Sequence, residues 1–190
     1  MKTKKLSLTF FFLLLLLTSL ACTIFVGGPD YPAQTIPVST DEVQSMQTQI
    51  EQAFASGAES GIVTLEISES QLTSYMAQKM QEKESPPFTD PQVLLRDGQM
   101  QMYGKINRGM LAANMRIAMN VSVDTETNLP KIEITEADFG PFPMPEGLNT
   151  AISAVIGEAF TGPLGPVATG FRLETITIAD GIMTLTGRIK

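Results

Sequence analysis

Thirteen consecutive residues, Leu111 to Val123 (LAANMRIAMNVSV), carry an apolar side chain at every odd position. Leu111, Ala113, Met115, Ile117, Met119, Val121 and Val123 therefore share one face of a strand, because side chains alternate faces along extended backbone. At roughly 3.3 Å per residue the ribbon is about 43 Å long, about twice an ordinary strand. An oily face of that length needs a long cover, and two kinds suffice: a helix of the same chain or the acyl chain of a lipid.

The sequence on either side supplies partners for this strand. Val93 to Leu95 and Met100 to Ile106 flank Asp97-Gly98, a dipeptide suited to a tight hairpin turn, and Met100, Met102 and Ile106 fall on one face. Lys131 to Phe139 returns after Asp124–Asn128, with its alternation changing phase at Thr135-Glu136. A second hairpin, Phe171 to Ile178 and Ile182 to Ile189 around Asp180-Gly181, changes phase at Glu174-Thr175 and turns Met183, Leu185 and Ile189 to one side. A phase change of this kind predicts a β-bulge, which bends and twists a sheet locally.

Three helices are predicted. The first begins at Thr40, with Asp41 and Glu42 in its first turn and a narrow stripe of Val43, Met46, Ile50 and Phe54 ending at Gly57, so it packs weakly or serves as a lid. The second follows the strand Ile62–Ile67 directly. Ser68 and Gln71 form a capping box at its start, Leu72, Tyr75, Met76 and Met80 share a face, and Ser85-Pro86-Pro87 stops it. The third follows the elbow Gly140–Pro145 and is the most apolar of them. Leu148, Ile152, Val155, Ile156 and Phe160 cover more than a third of its circumference, making it the candidate cover for the long strand.

The start of the chain predicts export. Lys2, Lys4 and Lys5 precede an unbroken apolar run from Leu6 to Leu17, followed by Thr18-Ser19-Leu20-Ala21-Cys22. Cys22 behind Ala21 resembles the lipobox of bacterial lipoproteins, which implies a signal peptide over residues 1–21, lipid attachment at Cys22 and anchorage on the outer face of the cell membrane. Ser19 and Leu20 stand in swapped order against that pattern. Ser19-x-Ala21 also suits ordinary signal peptidase, and Ile24-Phe25-Val26 prolong the apolar stretch enough for an uncleaved anchor. Residues 22–39, rich in proline and glycine, read as a tether, leaving 40–190 as a single domain.

Charge and composition narrow the functions. Without residues 1–21 the chain keeps ten basic and twenty acidic residues, a balance unsuited to nucleic acid or to a polybasic grip on anionic lipid. There is no histidine, and the single cysteine lies at the processing site, so Ser-His-Asp and Cys-His catalysis and histidine metal sites are excluded. Glu133, Glu136 and Asp138 offer carboxylates on a solvated edge, and Asp124–Asn128 has alternating oxygens without the glycine and closing glutamate of an EF-hand. Neither suggests an enzyme or a cofactor. Methionine is the positive signal: Met100, Met102, Met115, Met119 and Met183 all lie on apolar strand faces, where a flexible thioether adapts to changeable partners such as acyl chains. A core packed against helices asks for the same residues.

The order of these pieces resembles a known group. A strand running into a capped helix (VTLEISESQLTSYM), a hairpin (VLLRDGQMQMYGKI), the long strand, a return into a proline elbow and helix (ITEADFGPFPMPEGLNTAI), and a last hairpin (LETITIADGIMTLTGRI) are similar to bacterial extracytoplasmic proteins related to tubular lipid-binding domains, such as the lipomannan-elongation lipoprotein of mycobacteria. The resemblance spans about residues 60–190. It implies an α+β fold in which a strongly curved antiparallel sheet wraps around a long amphipathic helix, with one or two further helices. It also implies a groove for a lipid tail, here lined by Met100, Met102, Met115, Ile117, Met119, Val121, Leu148, Ile152, Val155, Ile156, Phe160, Met183 and Leu185. The alternative expectation is an envelope protein-interaction module with a fully self-packed core.

Overall fold

The computed structural model describes residues 23–148, 150, 152, 154 and 171–189. They form a strand-rich α+β fold in which curled sheets are joined by two helices, in the order β1 (Ile24–Phe25), α1 (Thr40–Ser60), β2 (Ile62–Ser68), α2 (Glu69–Gln81), β3 (Thr89–Arg96), β4 (Gln99–Arg108), β5 (Leu111–Val123), β6 (Pro130–Asp138), β7 (Phe171–Ala179) and β8 (Ile182–Ile189). The expected single antiparallel sheet is instead two. One runs β1-β5-β4-β3 with β6 also on β5, and is mixed because β1 is parallel to β5; the other is β2-β8-β7 and is antiparallel. Strand β7 passes beside β5 and β3, bringing the second sheet against the first.

Local chemistry sets the boundaries. Asp97 and Gly98 have φ of 54° and 73°, and Asp180 and Gly181 51° and 78°. Both turns therefore carry two left-handed residues, which matches the twist of a two-residue hairpin and suits Asp-Gly. The bulges fall where the alternation changes phase: Thr135 is the extra residue between Ala118↔Glu136 and Met119↔Ile134, and Glu174 the extra residue between Leu173↔Gly187 and Thr175↔Thr186. A further irregularity lies between Thr89 and Gln92, where Asp90 (φ 50°) and Pro91 stand opposite Gly104. No phase change announces it, because Pro91 and the polar residues around it have no alternation to break.

Helix α1 is longer than its apolar stripe predicts. Ser39 caps it, its Oγ accepting the Asp41 N–H at 3.1 Å, and the helix runs through Gly57 to a left-handed Gly61. Gly57 is not a terminator: the Val63 side chain packs where its Cβ would be, so the glycine lets α1 lie close on β2. Only Val43, Met46 and Gly57 of α1 are buried, but it is docked along β2 and α2, with Phe54 edge-on to Phe171 at 5.4 Å. The capping box at Ser68 is complete, with Gln71 N–H to Ser68 Oγ at 3.2 Å and Ser68 N–H to Gln71 Oε1 at 3.0 Å.

Helix α2 also closes the outer edge of β3. Buried Thr73 accepts the Val93 N–H at 2.9 Å, and its hydroxyl donates to the Val93 carbonyl at 3.4 Å. Glu69 accepts the Leu95 N–H at 2.6 Å and pairs bidentately with Arg96. These side chains stand in for the strand that an edge lacks and block edge-to-edge pairing. Thr73→Val keeps the shape but leaves both Val93 groups unsatisfied in a buried site. The expected cost is about 1–3 kcal/mol, read as a lower urea midpoint at unchanged m-value.

One core joins all of this. It includes Met46 from α1, Leu65 and Ile67 from β2, Met76 and Met80 from α2, Leu95 from β3, Met102 from β4, Met115, Ile117 and Met119 from β5, Leu173 from β7 and Leu185 from β8. Leu148 and Ile152, at the start of the predicted third helix, join it as well. Residues 148, 150, 152 and 154 are helical, while Val155, Ile156 and Phe160 lie outside the described residues.

Candidate functional site

Strand β5 brings the predicted lining residues together as the alternation requires. Met100 pairs with Met119 and Met102 with Ile117 across β4 and β5, and Met115 lies opposite Gly104 on the same face. Their exposures are 9% for Met100, 1% for Met102 and 0% for Met115, Ile117 and Met119. Leu148, Ile152, Met183 and Leu185 are also buried, and Val121 is packed against the same cluster from a half-buried position. These side chains face an interior rather than an open groove. The buried side chains clustered with them come from both sheets, from α1 and α2, and from Leu148 and Ile152.

The stretch expected as a tether is, over its described part, laid on the fold. The Ile24 and Val26 amides donate to the Met110 and Ala112 carbonyls at 2.7 and 2.8 Å, and the Asn114 amide donates to the Gly27 carbonyl at 3.0 Å. Asn114 Nδ2 also donates to the Pro29 carbonyl at 3.0 Å. Further on, the Gln92 side chain holds Ile36 from both sides, accepting its N–H at 2.6 Å and donating to its carbonyl at 3.1 Å. The composition of residues 27–39 conceals this docking, since backbone groups and buried amides supply it and these leave no hydrophobic period. The one readable trace is Ile24-Phe25-Val26, an apolar triplet that pairs with β5.

Between residues 31–38, the last turn of α2 and the irregular start of β3 lies a cleft of about 530 Å³. Met80, Phe88 and Ile36 give it apolar walls, and Tyr31, Gln92, Asp90, Lys83 and Lys105 give it polar ones. Sequence reasoning missed it because its residues come from three separated segments and share no spacing. The Tyr31 hydroxyl donates to the Asp90 carbonyl at 2.5 Å, and Lys105 Nζ stands 2.8 Å from Asp90 Oδ2 and 5.6 Å from the Tyr31 ring centre.

Burial of the Tyr31 phenol, helped by the nearby Asp90 charge, pushes its pKa up to about 12. An unfolded tyrosine ionises near 10. Between those values the folded chain binds more protons than the unfolded one, so stability falls as pH rises from about 10 towards 12. Urea midpoints at pH 9 and pH 11 are expected to drop less in Tyr31→Phe than in the parent chain.

The carboxylates singled out on β6 are dispersed. Glu136 pairs with Arg116 at 2.8 Å and Glu133 with Lys131 at 2.8 Å, each at the surface, while Asp138 accepts the Gly140 N–H at 2.8 Å. The Lys131 partner, by hydrogen bond and charge, lowers the pKa of Glu133. Asp124 Oδ1 accepts the Glu126 and Thr127 amides at 2.8 and 3.2 Å, and those bonds hold its pKa down. These acids fix turns and strand edges, and Asp124 and Glu133 share the charge of Lys131. Among the described residues no helix is long and apolar enough to cross a membrane; Cys22 and the apolar run before it lie outside them. No known protein-family model matches the chain, and no curated protein matches it.

Proposed function

We propose that this chain is an exported, membrane-anchored lipid-binding protein that holds or passes acyl chains in its interior and performs no catalytic step. The observation that carries the reading is the methionine wall. Met100, Met102, Met115, Met119 and Met183, on three strands of two curved sheets, all turn into one enclosed core. Valine or isoleucine would favour those strands more, so thioethers at these positions suit contents that change shape. The bulges at Thr135 and Glu174 add local bend and twist to the two sheets that share that core, and Leu148 and Ile152 bring in the start of the helix around which the sheets would wrap. Anchorage through Cys22 would keep this interior at the membrane that supplies its lipid.

A second reading, an envelope protein-interaction module with a self-packed core, is favoured by the complete burial of Met115, Ile117 and Met119. Native mass spectrometry of the full chain, purified from membranes and followed by solvent extraction, separates the two. Retained lipid, together with transfer of a fluorescent phospholipid between vesicles, is the result expected. A mass equal to the polypeptide and its anchor alone, with no transfer, would overturn the first reading in favour of the second.

A further inference from the structure

One end of the first sheet is oily on the outside. Ile24, Phe25, Met110 and Leu111 are 55, 58, 58 and 38% exposed, and pairing makes them one patch: Ile24 lies beside Leu111, and its amide donates to the Met110 carbonyl at the tip of the β4–β5 turn. Isolated exposed apolar residues are ordinary, but a cluster drawn from two distant segments marks a contact surface.

The sequence just before Ile24 points to what that surface meets. Cys22 is two residues before Ile24, a reach of about 7 Å, and the apolar run ending at Leu17 is seven residues before it, at most about 25 Å. With an acylated Cys22 as the anchor, the polypeptide leaves the bilayer within about 7 Å of this patch. We infer that Ile24, Phe25, Met110 and Leu111 form a second membrane contact, inserted among the lipid headgroups beside the anchor and holding this end of the sheet against the bilayer. The inference rests on the anchoring part of the proposed function.

Charge fits this mode of contact. Ten basic against twenty acidic residues after position 21 suit apolar insertion better than a polybasic grip on anionic lipid. Arg108, the cross-strand partner of Leu111, is exposed, with its guanidinium 6.0 Å from the centre of the Phe142 ring, where it can reach a lipid phosphate as its stem lies on apolar surface. The anchor supplies attachment, and a second contact beside it fixes the orientation that a single flexible attachment point leaves free. The consequence is a defined orientation, with the β4–β5 turn down and the distal end of β5 about 40 Å out, at roughly 3.3 Å per residue.

The chain has no tryptophan, which makes the test clean. Full-length Met110→Trp and Ile134→Trp are reconstituted in phosphatidylcholine vesicles with and without brominated acyl chains. Ile134 is 44% exposed and pairs with Met119, about 26 Å along β5 from Leu111 at roughly 3.3 Å per residue, so it serves as the control. Flotation reads anchoring, and bromine quenching of floated protein reads the contact. Expected is flotation of both, with Met110→Trp quenched at least twofold and blue-shifted and Ile134→Trp unchanged. Flotation with equal, weak quenching at both positions overturns the inference and leaves anchoring intact; failure to float overturns both. A Met110→Trp blue shift that appears without vesicles and grows with protein concentration would assign the patch to a second copy of the chain and also overturn the inference.

Discussion

Ile117→Ala is expected to destabilise the folded chain by about 2–5 kcal/mol, because the removed atoms lose their burial and the cavity they leave does not fully close. Ile117 is the midpoint of β5 and has no exposed surface; it faces Met102 across β4 and Ala137 across β6. An equivalent truncation at Ile134, 44% exposed on β6, removes little buried area and should cost less than about 1 kcal/mol. Urea titration of both variants reads the contrast. A domain typically stands only about 5–15 kcal/mol above its unfolded state, so the first change removes a large part of the margin. An acyl chain in the interior would add its own term, since a ligand bound only to the folded form stabilises by mass action. Delipidated parent protein would then also lie below the lipid-loaded form, and a comparison of the two separates loss of packing from loss of ligand.

The inward placement of Ile117 was legible in the sequence, because a period of two survives whatever covers the strand; the exposure of Ile134 was not, since alternation puts it on one apolar face with Ile132. The alternation assigns Met115, Ile117 and Met119 inward, and both phase breaks mark bulges, because a bulge changes which face each following residue occupies. What the alternation could not carry was the number of sheets. Strand β2 looks like a neighbour of its helix in sequence, yet it pairs with β8, 120 or so residues away, through backbone bonds that leave no side-chain signature. The docking of residues 24–38 was hidden for the same reason: Gln92, which clasps Ile36 from both sides, is an unremarkable polar residue until its partner 56 positions away is known. Gly57 misled in the opposite sense, since a glycine that ends a helix and one that admits a neighbouring side chain look alike in a sequence. Of the lining residues, those from the strands could be read from periodicity; Val155, Ile156 and Phe160 lie outside the described residues.

Gly187→Val is expected to cost about 3 kcal/mol and to abolish lipid retention, if the interior is the lipid site. Gly187 is buried in β8, the central strand of the second sheet, opposite Leu173 and next to the Glu174 bulge. A Cβ there would overlap the Arg172 carbonyl and the Phe171 ring. A ring can turn away but a carbonyl within a ladder cannot, so the strands must part at the bulge, and overpacking of this kind costs about 1–3 kcal/mol or more. Phe171 also rests edge-on against Phe54, so its displacement loosens α1 from the second sheet. A double-mutant cycle divides the two effects: Phe171→Ala should relieve the part of the Gly187→Ala cost that comes from the ring and none of the part that comes from the backbone. The second sheet carries Met183 and Leu185, one wall of the proposed lipid interior. Under the lipid reading, Gly187→Val that is still folded at low temperature should have lost its bound lipid in native mass spectra; under the self-packed reading, it should lose stability alone.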